Sequence, residues 1–418
     1  MRKTYIYSKI IETFIVFSIF LLVFFYDAFN NLFGFYDELI AFLSLTVIIT
    51  ASLFNRKIKL YKSEIYISIL LLFIAIIGIL SNYHSYKMGH STNKIAIIGD
   101  IINFFKAFIA YFGIRILSNN IDSERVLNTL SNYSKIAFYL LVVFLVVDII
   151  FKIYPQYTRY GIKSFQLFFT HTSRFSFAFS FNFLVLFLKN YTSKKWFLLF
   201  ILSFGLFSLR VKFFAFYFIA IIIMFFGKKL MKIPRKTLLI VLGIFMLLIA
   251  LIFKDQLVMY FSTDSGWSRS VILVTSIKIG NNFFPFGTGF GTYSSYFSGK
   301  YYSWVYELYG IDDVYGISKA YWGFITDQFW PMVLGQFGYF GLTAFLVIIY
   351  KYIMLFIIHL KQSIGQKQKQ FMYVSLLGLL LLLIDSSSDA IFTQNRGVVM
   401  FILFALLINS YKSHNEVV

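Results

Sequence analysis

Apolar runs close to twenty residues long recur through the whole chain, separated by short stretches that carry most of its lysine and arginine. Few folds accommodate that pattern. A helix rises 1.5 Å per residue, so about twenty apolar residues cross a hydrocarbon core roughly 30 Å thick. The chain is 59% hydrophobic and 13% charged, whereas an ordinary soluble domain is about 25% charged. The pattern predicts an all-α integral membrane protein with about twelve spans. They fall at 9–27, 37–54, 65–82, 97–117, 135–152, 174–189, 196–209, 211–227, 237–253, 332–356, 371–386 and 391–410.

The basic residues set the orientation, because cytoplasmic loops are enriched in Lys and Arg. With the N-terminus inside, 23 of the 38 basic residues fall on inner segments, 14 on outer ones, and Lys106 lies within a span. Clusters such as Arg56-Lys57-Ile58-Lys59 are on the inner side, and both termini are expected in the cytoplasm. A formal charge of +20 would point to nucleic acid if it were clustered on a soluble domain. Here it marks topology, and nucleic acid is not an expected partner. The first span has no small-residue cleavage site and is expected to be retained. The chain has no cysteine, which excludes disulfides, thiolate metal sites and cysteine nucleophiles.

Most loops are short. The exception is an outer segment of 78 residues, Lys254 to Pro331. It divides the chain into spans one to nine (1–253), the large extracytoplasmic loop (254–331) and spans ten to twelve (332–418). Four of the five tryptophans are in it (Trp267, Trp304, Trp322, Trp330), with nine tyrosines and nine glycines. Rings with polar edges suit stacking on sugars, and equally the membrane interface. Tyr293, Trp304 and Trp322 are candidate substrate contacts. Arg269 opens an amphipathic stretch with Val271, Ile272, Val274 and Ile277. Beyond Pro285 come Gly287, Gly289 and Gly291 in the order G-T-G-F-G. Without a strand–turn–helix setting this is not a dinucleotide site. It reads as a tight turn against a ligand or a neighbouring helix, so Gly287 and Gly289 are candidate binding positions.

Further basic residues fall on other outer connections. Arg159, Lys163 and Arg174 belong to the loop 153–173 and the span that follows it. Arg210 and Lys212 sit in the tight connection FSLRVKFF, and Arg396 lies with Asp385 and Asp389 around the last outer turn. An arginine fork aimed inward clamps a diphosphate through paired, charge-assisted bonds. The competing reading is snorkelling to lipid headgroups. Asp327 stands among Tyr321, Trp322, Phe324, Phe329 and Trp330. Taking a carboxylate from water is costly unless it is paired or used. It is put to use, paired with an outer basic residue, or an N-cap for a helix starting near Pro331. Asp100 and Lys106 share the fourth span on different faces and are not expected to pair. Asp312-Asp313 reads as a solvated pair, while His84, His90 and His171 lack metal spacing.

Taken together, a short outer Arg connection, R-S-V-I…P-F-G-T-G-F-G-T-Y in a long outer loop, and G-Q-F-G-Y-F-G opening the next helix resemble the O-antigen ligase and Wzy-type polymerase superfamily. Arg269 and Gly280 also fit an R-x10-G pattern described for its polymerases. The resemblance implies a GT-C-like architecture in the plasma (inner) membrane of a bacterium, with the active site on the outer face. The implied substrate is an oligosaccharide repeat unit on undecaprenyl diphosphate, polymerised into capsule, exopolysaccharide or O-antigen. It also implies a chain-length-regulating co-polymerase as partner. In the ligase branch a His-Asn pair lies eleven residues before the first glycine of an E-x-G-x-x-G-like helix start. That position here is Asp327, with Gln328 beside it and Gln336 in the Glu place, which favours a polymerase. On this reading Asp327 deprotonates the acceptor, while Arg210 and Arg269 neutralise the leaving diphosphate, with no metal or cofactor. The alternatives are a ligase of the same superfamily and a flippase or transporter of lipid-linked units.

Overall fold

The computed structural model describes residues 2–54, 60–190, 194–230 and 266–412. They are mostly helical, with one short β-hairpin, β1 (Tyr157–Arg159) and β2 (Ile162–Ser164), among the described residues. Seven helices are long and apolar enough to cross a membrane, and three shorter apolar helices accompany them. Eleven of the twelve predicted spans coincide with a helix. The remaining one, 237–253, lies outside the described residues, as does the first part of the long segment, to 265.

The chain runs through α1 (Arg2–Phe20, continuing as a π-helical turn Leu21–Phe25), α2 (Tyr36–Leu53), α3 (Lys62–Lys87), α4 (Lys94–Ile116) and α5 (Ser123–Phe151). After the hairpin come α6 (Thr172–Asn190), α7 (Lys195–Ser203) and α8 (Val211–Leu230). A segment of short helices follows: α9 (Ser268–Asn282), α10 (Tyr296–Lys300) and α11 (Trp304–Leu308). The chain ends with α12 (Phe329–Gln362), α13 (Gln366–Asp385) and α14 (Asn395–Lys412). Helices α6 and α14 are buried on every face, from Phe175 to Leu188 and from Val398 to Ile408. A helix that is apolar all round belongs at the centre of its bundle. By contrast Ile69, Leu72 and Ile76 on α3, and Ile136 and Leu140 on α5, face outward. An apolar exterior of this kind suits lipid as the surrounding solvent.

The described part of the long segment folds into the helix bundle. Residues 286–291 insert as a wedge between α3, α4 and α12. Ser81 and Ser85 of α3 donate to the carbonyls of Phe286 and Thr288 at 2.7 and 3.0 Å, and Asn82 pairs with both backbone groups of Phe290 at 2.8 and 2.9 Å. From α4, Asp100 accepts from the Gly291 N–H at 2.8 Å. Irregular backbone survives among apolar helices only where protein satisfies it, and these polar side chains do that. Opposite the wedge α12 is broken at Gly338, which has φ 62°. A Cβ on Gly338 would lie 2.2 Å from the Pro285 carbonyl, and one on Gly287 would lie 2.6 Å from the Gly335 carbonyl. Glycine is required where the two backbones meet.

Of the two readings of the glycine turn, against a ligand or against a neighbouring helix, the packing shows the helix: Gly287 abuts the α12 backbone, and Gly289 abuts Asn82 of α3 while its N–H donates to the Gln336 carbonyl at 2.8 Å. Tyr293 is fully buried, donating to the Ile272 carbonyl at 2.6 Å. Gln336 serves this same joint, donating to Asp100 at 2.7 Å and to the Tyr293 carbonyl at 2.9 Å. Beyond the wedge, Val271, Ile272, Ile279, Phe283, Val305, Tyr306 and Ile325 close a second small core. Val274 is only partly buried and Ile277 is exposed, so the buried face of α9 is narrower than the sequence suggested.

Asp100 and Lys106 take different partners, as expected. Lys106 bridges Asp37 and Glu38 of α2 at 2.6 and 2.7 Å. At the end of the bundle away from the wedge, Arg115 of α4 grips Glu64 of α3 at 2.5 and 2.9 Å, and Tyr111 adds a bond at 2.6 Å. Both members of that ion pair are fully buried.

Candidate functional site

Four connections converge beside the wedge. In the tightest, the 3₁₀ turn Phe204–Ser208 ends at Leu209 in the left-handed region, with φ 49°. A bulky residue seldom adopts that conformation, and strain of this sort persists where surrounding structure holds it. The turn directs Arg210 onto the first turn of α6, where it donates to Thr172 Oγ1 at 2.7 Å and to the His171 ring. Burial of its inner edge, with the Arg210 charge second, pushes His171 down to about 3. The ring is therefore neutral near pH 7. The ring's Nδ1 accepts from the Ser173 N–H at 3.3 Å and lies 2.5 Å from Ser173 Oγ. Arg210 itself is pushed down to about 10, by burial first and then by the charges of Arg159 and Arg269.

Asp327 lies in the turn before α12, and Arg269 in the first turn of α9 reaches it. Both guanidinium bonds, from Nε at 3.1 Å and Nη2 at 2.8 Å, end on Oδ2. The Asp327 side chain remains 27% exposed, and Oδ1 has no partner among the described residues. Asp327 is not the helix cap, because Gln328 occupies that position. Burial raises the Asp327 carboxyl above the usual aspartate range, with Arg269 opposing. Phe329 N–H and Trp330 Nε1 bond Ser386, seating this turn beside the Asp385–Asp389 loop.

That loop is densely charged. Lys212 bonds Asp385 at 3.1 Å and lies 4.0 Å from Asp389. Asp389 also pairs with Arg396 and accepts from Gln394 at 2.6 Å. Burial would raise Asp389, yet Arg396 and Lys212 hold it far below the usual carboxylate range. Arg396 is only 3% exposed, and its Nε and Nη1 have no hydrogen-bond partner among the described residues. One turn below Arg210's anchor, Arg174 pairs with Asp27 at 2.6 Å, where α1 ends in its π turn. Asp27 also accepts from the Thr170 N–H at 3.0 Å.

The cluster thus holds six basic side chains, Arg159, Arg174, Arg210, Lys212, Arg269 and Arg396, against four aspartates at 27, 327, 385 and 389. The surplus sits on Arg159 and Arg210, neither of which has a carboxylate within ion-pair distance among the described residues. Two half-buried guanidinium groups that repel one another could receive an anion between them. The cluster brings together every basic residue predicted for the site. Lys163 is exposed on the hairpin.

The predicted tryptophans lie apart from it. Trp304 stacks on His90 with ring centroids 4.0 Å apart and donates to Thr92, and Trp322 packs on Gly299 and Tyr296. The exposed rings nearest in sequence to Asp327 are instead Tyr315 and Tyr321, 5.1 Å apart. Sequence reasoning missed Asp27 and set His171 aside. The available signal for both was a polar residue at the mouth of an apolar run, in F-F-Y-D-A-F and T-H-T-S-R.

A cavity of about 710 Å³ lies at the opposite end of the bundle, lined by Asp122, Glu124 and Arg125 among others. Its charges are already paired, Arg125 with Glu12 and Asp122, and Glu124 with Lys367. Among the described residues no group of His, Asp or Glu side chains has a metal-binding arrangement. No protein-family model matches the chain, and no curated protein matches it.

Proposed function

We propose that this chain is a membrane glycosyltransferase that polymerises undecaprenyl-diphosphate-linked oligosaccharide units at the outer face of a bacterial plasma membrane. The observation that carries the reading is that Arg159 and Arg210, neither in an ion pair among the described residues, lie near an aspartate with one oxygen free of any partner among those residues. The pair receives the diphosphate of the growing chain. The hydroxyl of an incoming unit gives its proton to Asp327 Oδ1, and its oxygen attacks the anomeric carbon from the face opposite the diphosphate. As the new C–O bond forms, the old one breaks, and its electron pair leaves on the diphosphate with inversion at carbon. Arg210 and Arg159 stabilise that charge where it develops, while the base contributes about 10²–10⁴-fold. Arg269 holds the carboxylate in place, a role distinct from the diphosphate clamp expected of it. Exposed Tyr315 and Tyr321 offer faces for sugar stacking.

A carrier-lipid transporter is the second reading, favoured by the broken helix α12. The wedge fills that break with protein backbone, which supports an enzyme instead. Purified protein given its lipid-diphosphate repeat unit tests the choice. A ladder of longer lipid-linked glycans is expected. Relocated but unextended units would mean transport, and a single transfer to a different acceptor would mean ligation.

A further inference from the structure

Helices α5, α6 and α7 meet around a pocket of about 310 Å³ at the end of the bundle away from the charged cluster. Ser131, Asn132 and Lys135 of α5 line it, with Lys189 from the last turn of α6 and Lys194 and Phe197 from the start of α7. Three ammonium groups thus share one pocket, and none has a carboxylate within ion-pair distance among the described residues. Lys189 donates to a neutral group, Asn132 Oδ1, at 2.9 Å. Like charges around a pocket repel one another, and an anion between them relieves the repulsion. Two further features favour an anion. Ser131 is buried, and its hydroxyl has no hydrogen-bond partner among the described residues. Lys194 is the N-cap of α7, and a helix start attracts negative charge.

The surroundings narrow the class of anion. Asn132 also borders the cavity of about 710 Å³, beside the neutral side chains of Asn128 and Thr129. A phosphate held by the lysines therefore extends its substituent toward amide and hydroxyl groups, which suit a hydroxylated one. On the other side the wall is apolar. Tyr139, one helical turn deeper than Lys135, lines the pocket and is exposed, as are Ile136, Leu140, Trp196 and Phe200. Acyl chains fit along those side chains, and Trp196 has the character of an interfacial anchor.

We propose that this pocket binds a phosphate ester with a hydroxylated head group, supplied by an anionic glycerophospholipid of the adjacent leaflet. The site is separate from the charged cluster and independent of the polymerase reading. Because the chain has no cysteine, Tyr139→Cys can carry a single bimane. The labelled full chain is placed in phosphatidylcholine nanodiscs containing a minor fraction of lipid brominated in its acyl chains. Brominated phosphatidylglycerol is expected to quench the bimane at least threefold more strongly than brominated phosphatidylcholine at equal content. Lys135→Gln and Lys194→Gln should each reduce that preference at unchanged melting temperature, since both lysines are exposed. Glycerol 3-phosphate, added to nanodiscs free of anionic lipid, separates the two sources of phosphate. A change in bimane emission that requires both lysines, without any preference between the lipids, would support the phosphate site and overturn its lipid source. Equal quenching by the two lipids with no response to glycerol 3-phosphate overturns the pocket. A preference that both substitutions leave unchanged overturns it too.

Discussion

Two guanidinium groups at the cluster differ in what holds them. Arg269 is bound to Asp327, whereas Arg210 is held by neutral groups, a threonine and an uncharged histidine. The two should fail differently. Arg210→Ala removes charge from the leaving group and is expected to lower kcat/KM by at least a hundredfold. Arg210→Lys keeps the charge but loses the fork, and should recover only part of that. Removing Arg269 instead shifts the base. Since the Arg269 charge lowers the Asp327 pKa and burial raises it, Arg269→Ala moves that pKa higher. A base must be deprotonated, so activity falls as pH drops through this pKa. The acid limb of the kcat profile should therefore lie above the ordinary aspartate range in the natural protein, and higher still in Arg269→Ala. An acid limb that does not move would return Asp327 to a structural role. Asp327 and Arg269 were both recognisable singly, each an ionisable residue in aromatic or apolar surroundings. Their pairing across 58 positions was not, because nothing in either local sequence encodes it.

Among the elements, the apolar helices were the most legible part of the chain, since a run of twenty apolar residues leaves the backbone few alternatives. Their ends were less so. Helix α12 starts at Phe329, before the Pro331 taken to open it; a proline in the first turn forfeits no intrahelical bond. The glycines mark a tight turn against a ligand or a helix, but not which helix, because the partners Ser81, Asn82 and Ser85 lie about two hundred residues away. Its glycines carry a clear stability prediction. Gly338→Ala, strained at φ 62° and facing the Pro285 carbonyl, should lose about 3 kcal/mol or more. Gly310→Ala, with φ 59° but nothing within 4 Å, should lose only about 1 kcal/mol. Similar melting temperatures for the two would mean that the wedge is not held as described. The buried pair at the other end gives a second test. Arg115→Ala strands the Glu64 charge, at about 3–5 kcal/mol. The double replacement Glu64→Leu, Arg115→Met should lose less, and a larger loss would mean that the pair contributes net stability.

At the scale of the whole molecule, the described residues form a mostly helical bundle with an apolar exterior and a strongly charged cluster beside the wedge. The outer-face placement proposed for that cluster is the one the positive-inside rule favours. Because the chain has no cysteine, single introduced cysteines report it directly. Tyr315→Cys, 71% exposed beyond the wedge, should react with an impermeant maleimide on intact cells. Ile364→Cys, 91% exposed in the turn between α12 and α13, should react only after lysis. The reverse pattern would place the cluster in the cytoplasm and end the outer-face reading. The most direct test of the central claim remains the glycan ladder, run with the lipid-diphosphate repeat unit on the natural protein, Arg210→Ala and Asp327→Asn. The account predicts a ladder that Arg210→Ala abolishes and Asp327→Asn slows at least a hundredfold. A ladder made equally well by all three would contradict it.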